Sequence, residues 1–209
     1  MKIAFFLISQ ILVFQACFAQ VSVSLDNQIS KIDSDIDTLR YYLGAYPPNI
    51  KTDVEKKFVN QKFDHVEKSL TDLNNQYPNN LKIIVRLGDL YQLGHNFDLK
   101  DAWTKAEYYF KEAIKLDSNF YYAHWALGHL YVTTDIKYAK AAEIELLKVY
   151  NSSIEDLKAH TYIDLTFSMY YQARFAEAKK YIEKYIELTH DELGDKLLEI
   201  INEKLEKSK

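Results

Sequence analysis

Apolar residues recur along this chain at helical spacing almost from end to end. Over residues 25–43, Leu25, Ile29, Ile32, Ile36, Leu39 and Leu43 follow one another at intervals of 4, 3, 4, 3 and 4, a heptad seam. Such a seam serves either one amphipathic helix capping a stack of helices or a short coiled coil. Coiled coils usually sustain the pattern for at least three or four heptads, so the capping helix is the preferred reading. Gly44 is a suitable helix stop, and Pro47-Pro48 oppose continuation.

The rest of the chain divides into paired helical patterns. In 49–80, Ile50, Val54 and Phe58 share one face and Phe63, Val66, Leu70 and Leu73 another, which predicts two helices joined near Gln61-Lys62 and closed by Tyr77-Pro78. In 81–120, Ile84, Leu87, Gly88 and Tyr91 mark a first helix and Ala106, Phe110 and Ala113 a second, with a long turn from Leu93 to Trp103. In 121–156, Leu127, Gly128 and Tyr131 are followed by Ala142, Leu146 and Val149, after which Ser152-Ser153-Ile154-Glu155 fits a capping box. In 157–192, Tyr162, Leu165 and Met169 precede Phe175, Ala178, Ile182 and Tyr185, with Ala173 at the tight turn between them. Residues 193–209 close the chain with Leu193, Leu197, Leu198, Ile201 and Leu205 on one face.

The phrase Leu-Gly-x-x-Tyr occurs at Leu87-Gly88 and again at Leu127-Gly128, forty residues on. The small second-helix residues Val66, Ala106, Ala142 and Ala178 are spaced by 40, 36 and 36. Leu-Gly-x-x-Tyr followed by Ala-x-x-x-Phe resembles the tetratricopeptide repeat (TPR), a helix–turn–helix unit of about 34 residues. The lengthened turn with Gly94, Asp98 and Lys105-Ala106 also resembles the Sel1-like variant. The resemblance covers about 49–205, and its motifs are most specific in the second and third repeats. It implies an all-α right-handed superhelix: an amphipathic helix over 20–48, about four repeats at 49–80, 81–120, 121–156 and 157–192, and a capping helix over 193–209. The small residues let neighbouring helices approach closely, while Phe110, Leu146 and Ile182 fill the gaps.

Composition narrows the setting. The chain has 209 residues, 48% hydrophobic and 27% charged, with only 5 Gly and 3 Pro, as suits one globular domain of long helices. Lys2, the apolar run Ile3 to Phe14 and the small residues around Ala19 describe a signal peptide over 1–19 with cleavage after Ala19. That run is too short to span a bilayer, which takes about 20 apolar residues. Cys17 is the sole cysteine. Phe14 and Gln15 depart from a lipobox, so Cys17 reads as part of the leader rather than a lipid anchor. A periplasmic or secreted chain with no disulfide is expected. Losing Lys2 takes the formal charge from −4 to −5, and no basic stripe offers a footprint for nucleic acid.

No catalytic constellation emerges, so the expectation is a non-enzyme without metal or cofactor. The six histidines include no His-x-x-x-His, and His124 and His129 fall on different helix faces. The five glycines are too scattered for a phosphate-cradling loop, and there is no Gly-x-Ser-x-Gly elbow. Paired carboxylates such as Glu143 and Glu145 read as charged surface. The resemblance instead implies a concave groove lined by the first helices, with Val85, Asp89 and Gln92, then Tyr122, Trp125, His129 and Val132, then His160, Ile163, Phe167, Tyr170 and Tyr171 facing it. Among these, Tyr122, Trp125, His129, His160, Ile163, Phe167, Tyr170 and Tyr171 are the candidate partner-binding residues, since a few buried rings often carry most of a binding energy. The Lys, Asn and Arg clamp of chaperone-tail-binding members is absent, its places being held by Val85, Asp89, Ala126, His160 and Asp164. The expected function is a protein- or peptide-binding scaffold of a bacterial periplasm or envelope; the alternative is an oligomeric or lipid-anchored structural component of an envelope complex.

Overall fold

The computed structural model describes residues 25–152 and 154–207. The expected leader with its cleavage after Ala19, Cys17, and Ser153 of the expected capping box lie outside the described residues. The described chain is helical throughout: α1 (25–43), α2 (Asp53–Gln76), α3 (Leu81–Asn96), α4 (Ala102–Leu116), α5 (Tyr121–Thr134), α6 (Ala139–Tyr150), α7 (Lys158–Tyr171), α8 (Phe175–Thr189) and α9 (Glu192–Lys207). Short 3-10 turns, Ile136–Tyr138 and Glu155–Leu157, lead into α6 and α7. Each helix packs chiefly on its neighbours in sequence, and α5 also touches α3 and α7. This one-dimensional stacking is the architecture of a helical-repeat solenoid.

Helix pairs close where one partner gives up its side chain. A Cβ built on Gly88 of α3 would meet the Phe110 ring of α4 at 2.4 Å, and one on Gly128 of α5 would meet Leu146 Cγ of α6 at 2.6 Å. Phe110 and Leu146 are fully buried, as are Ala106, Ala142 and Ala178. Burying a side chain such as Leu146 contributes about 1.5–3 kcal/mol, which offsets the roughly 1 kcal/mol cost of a glycine inside a helix.

A polar contact also recurs with the repeat. The Tyr91 hydroxyl of α3 donates to Glu67 of α2, and the Tyr131 hydroxyl of α5 donates to Glu107 of α4 at 2.7 Å. Burial and the neighbouring carboxylate push both phenols up. The corresponding residue of α6 is Glu143, but α7 carries Met169 where the tyrosine would stand. Arg174 and Gln172 take its place: Arg174 Nη1 donates to Glu143 at 2.7 Å and Gln172 Nε2 at 3.2 Å, with Lys140 Nζ at 2.7 Å. Glu143 is therefore buried, not surface, and despite that burial these three donors hold its carboxyl below the usual range. Glu145 is engaged too, bonded to Lys148 and to the buried His124, whose other ring nitrogen lies 3.0 Å from Ser118 O.

The N-terminal third corrects the sequence expectation. No turn breaks the chain near Gln61-Lys62; α2 is one helix of 24 residues. It starts at a capping box, in which Thr52 Oγ1 accepts from Glu55 N and Glu55 Oε2 accepts from Thr52 N. Its buried stripe is Val59, Phe63, Val66, Leu70 and Leu73, whereas Val54 is 79% exposed. The first-helix partner of α2 is α1. Ile29, Ile32, Ile36, Leu39 and Leu43 of the heptad seam are buried inside this chain. Lys62 of α2 reaches Asp35, Lys82 of α3 reaches Asp26, Arg86 pairs with both oxygens of Asp33, and Asn96 Nδ2 donates to Leu43 O. The seam is thus spent on the repeat stack and is closed to a coiled-coil partner.

The expected capping box before α7 is also absent from the described contacts. Ser152 Oγ donates to Val149 O, Glu155 pairs with Lys158, and the 3-10 turn begins without a side-chain cap. Ala173, by contrast, sits at the tight α7–α8 turn as expected, with φ 57° in the left-handed region. At the far end α9 packs on α8, where a Cβ on Gly194 would meet Ile186 Cγ1 at 2.7 Å.

Candidate binding face

The first helices α3, α5 and α7 present one side to a shared cleft that α1 and the α1–α2 loop bound at one end. Its volume is about 510 Å³, and Arg40, Tyr46, Asp89, Gln92, His95, Tyr122, Trp125, His129, Thr133 and His160 line it. A second opening of about 570 Å³ between α1, α3 and the start of α5 shares Arg40, Asp89 and Tyr122 with it. Four of the candidate residues, Tyr122, Trp125, His129 and His160, come together here as a run of rings. Tyr122 and Trp125 lie 5.6 Å apart between centroids, Trp125 stacks on His129 at 5.4 Å, and His160 of α7 lies 5.4 Å from Trp125.

Two carboxylates support this run from beneath. Trp125 Nε1 donates to Asp164 Oδ2 at 3.0 Å, and His129 Nδ1 donates to Asp164 Oδ1 at 3.0 Å. Asp164 is buried, so it is a strut between α5 and α7 rather than a groove residue. Burial disfavours the imidazolium of His129, but the Asp164 carboxylate outweighs it, and the net effect raises His129 above its ordinary value. On the neighbouring repeat, the Tyr122 hydroxyl donates to both oxygens of Asp89, at 2.9 and 2.8 Å. Desolvation dominates at Asp89 and pushes its carboxyl up to about 6, although the Tyr122 bond and the charges of Arg40 and Arg86 pull the other way.

The other candidates separate from this cleft. Phe167, Tyr170 and Tyr171 line a smaller apolar recess of about 170 Å³ against Leu197, Ile200 and Ile201 of α9. Ile163 packs against the main core. Val132 and Val85 are buried, Val132 in the main core and Val85 in a satellite cluster with Ile84, Ala113 and Ala123. A helix contributes side chains on all sides, and spacing alone does not tell the face that meets the next first helix from the face left open. Sequence reasoning missed Arg40, Tyr46 and His95. Their common signal was position: each lies at or near the C-terminal end of a first helix, where the turns crowd one rim of the cleft.

Among the described residues no group of three or more His, Cys, Asp or Glu is placed to hold a metal ion, and no helix is long and apolar enough to cross a membrane. No family model matches the chain, and no curated protein matches it. Among solved structures, the fold is similar to that of TTC0263, a thermophilic TPR protein of Thermus thermophilus, with a TM-score of 0.53 and 16% identity over 72% of this chain and 77% of that one. Stacked helix pairs, glycine closures between paired helices and this likeness define a TPR-type helical-repeat fold.

Proposed function

We propose that this protein is a non-enzymatic adaptor of the periplasm or cell envelope that holds a partner's peptide segment in the cleft between α1, α3, α5 and α7. The observation that carries the reading is the ring run Tyr122–Trp125–His129–His160 on the open side of two adjacent first helices. Its polar undersides are already satisfied by Asp89 and Asp164, so the half-exposed ring surface turned to the cleft is left for a ligand. Rings held rigid in this way lose little freedom on binding and make good anchors. A TPR-type scaffold suits such a task, and the leader pattern of residues 1–19 suits an exported protein. An oligomeric role through the heptad seam is disfavoured, because that seam is buried within the chain.

The test uses the mature chain from Gln20 as bait in native envelope extract, beside His160→Ala and a Thr133→Arg variant that fills the cleft. Thr133 and His160 are both exposed, so neither change should disturb folding. A protein held by the wild type and lost with both folded variants supports the cleft. Capture indifferent to both places the binding surface elsewhere.

A further inference from the structure

A terminal helix of a repeat stack is expected to turn a polar face to solvent, because no further unit covers it. The helix α1 does so: Asp26, Asn27, Ser30, Lys31, Ser34 and Asp37 are exposed. The helix α9 does not. Leu193 is 51% exposed and Ile200 46%, and Leu197 between them is half-buried. At helical periodicity these three fall within about 60° of one another around the helix, an apolar stripe on its flank. Leu197 and Ile200 also form one wall of the small apolar recess, and Phe167, Tyr170 and Tyr171 of α7 form the other. A ridge and a recess thus lie side by side at the same end of the stack.

The charged shoulder of this stripe is its own complement. Glu192, Lys196, Glu203 and Lys207 follow one another along the side of α9 next to Leu193 and Ile200, and all four are exposed. Two copies of α9 laid antiparallel, about an axis between Glu199 and Ile200, bring Glu192 of each level with Lys207 of the other and Lys196 level with Glu203. Each pairing occurs twice by the two-fold symmetry. Lys207 already lies 3.6 Å from Glu203 in its own helix, so the register extends that contact into a network between copies. The same register sets Leu197 and Ile200 of one copy against those of the other at the axis. A parallel arrangement would instead oppose Lys196 to Lys196 and Glu203 to Glu203, and head-to-tail stacking would bury the stripe against the polar face of α1.

We propose that the C-terminal end of the stack is a two-fold dimer interface, in which α9 pairs antiparallel with α9 of a second copy and Ile200 of each copy closes the recess of the other. Burial of the stripe supplies the attraction, since apolar surface is driven from water whatever its partner. The charged shoulder selects the partner and the orientation, because opposite charges across an interface fix register and like charges exclude wrong pairings. The heptad seam of α1 takes no part. The recess shares no lining residue with the cleft between α1, α3, α5 and α7, so closing the one leaves the other open in both copies. The inference stands on α9 and its surroundings and is independent of what the cleft binds.

The experiment is sedimentation velocity of the mature chain between about 1 and 100 μM, with far-ultraviolet circular dichroism as the check on folding. The wild type is expected to pass from monomer to a species of twice the chain mass and to stop there. Leu193→Glu with Ile200→Glu, both at exposed positions, should stay monomeric with unchanged helicity. Lys196→Glu sets like charges across the axis and should weaken dimerisation about tenfold. Adding Glu203→Lys restores opposite signs and should return most of that loss. Lys196 and Glu203 stand about two turns apart in their own helix, too far to pair there, so the rescue reads a contact between copies. A wild type that is monomeric throughout, a mass that keeps growing beyond two copies, or a dimer indifferent to Leu193→Glu with Ile200→Glu overturns the inference. A dimer that Lys196→Glu leaves intact, or that Glu203→Lys fails to rescue, overturns it as well, because the antiparallel pairing is then wrong.

Discussion

Trp125 on α5 donates its indole N–H to Asp164 on α7 at 3.0 Å, so the ring that dominates the open cleft is also a tie between two repeats. Removing the ring therefore has two effects at once. Trp125→Ala takes away part of the packing between α5 and α7 and leaves Asp164 with His129 as its remaining partner. A loss of about 2 kcal/mol is expected, below the range for a fully buried tryptophan because Trp125 is only half-buried. Trp125→Phe should cost about 1 kcal/mol, and His160→Ala less than about 0.5 kcal/mol. Urea unfolding midpoints check all three, and a Trp125→Ala protein as stable as wild type would contradict the tie.

The His129–Asp164 pair should leave a trace in the pH dependence of stability. The folded-state value of His129 is raised above its unfolded value of about 6.5. Its contribution is thus fully present below about pH 6.5 and fades as pH rises through the raised value. Unfolding free energy followed from about pH 6 to about pH 8 should decline in the wild type and run flatter in His129→Asn. Identical slopes would mean that the imidazole titrates alike in both states.

Asp89 predicts a second slope. Its folded value of about 6 exceeds the unfolded carboxylate value, so its burial lowers stability as pH rises from about 4 through about 6. Asp89→Asn removes the buried charge and keeps an oxygen for the Tyr122 hydroxyl. At neutral pH the variant should be more stable by on the order of 1 kcal/mol, measured by thermal or urea unfolding.

Helix closure makes opposite predictions at two small residues. Gly128→Ala places a methyl 2.6 Å from Leu146 Cγ, and overpacking of this kind costs about 1–3 kcal/mol. The double variant Gly128→Ala with Leu146→Ala should cost less than the sum of the two single changes, which a double-mutant cycle reads directly. Ala173→Gly should stabilise, because Ala173 holds φ 57°, a conformation that costs a non-glycine residue about 1–2 kcal/mol. Part of that gain is offset by the greater freedom of glycine when unfolded, leaving roughly 0.5–1 kcal/mol.

Much of the architecture was legible in the chain. Leu87-Gly88 and Leu127-Gly128 specify close helix contacts, and their opposing residues Phe110 and Leu146 are set at fixed positions on the next helix, so the pattern declares both sides of each closure. The extent of α2 was not legible, because Gln61 and Lys62 are good helix formers and nothing in their chemistry separates a turn from a continuous helix. Val54 and Phe58 sit at helical spacing yet leave the core before the packing begins. The roles of Glu143 and Asp164 were hidden for another reason. Both face partners more than twenty residues away, Arg174 for Glu143 and Trp125 for Asp164, and a buried acid is recognisable only once the donors that surround it are known. The candidate ring set was read as one stripe, and α9 divides it, drawing Phe167, Tyr170 and Tyr171 to a recess of their own.

The cleft itself is tested most directly by amide hydrogen exchange of the mature chain, alone and with the protein it captures from envelope extract. Added protection should concentrate in α3, α5 and the first half of α7, around Gln92, Trp125, His129 and His160, with α4, α6 and α8 unchanged. Protection confined to α4, α6 and α8, or to α9, would contradict a binding site on the first helices.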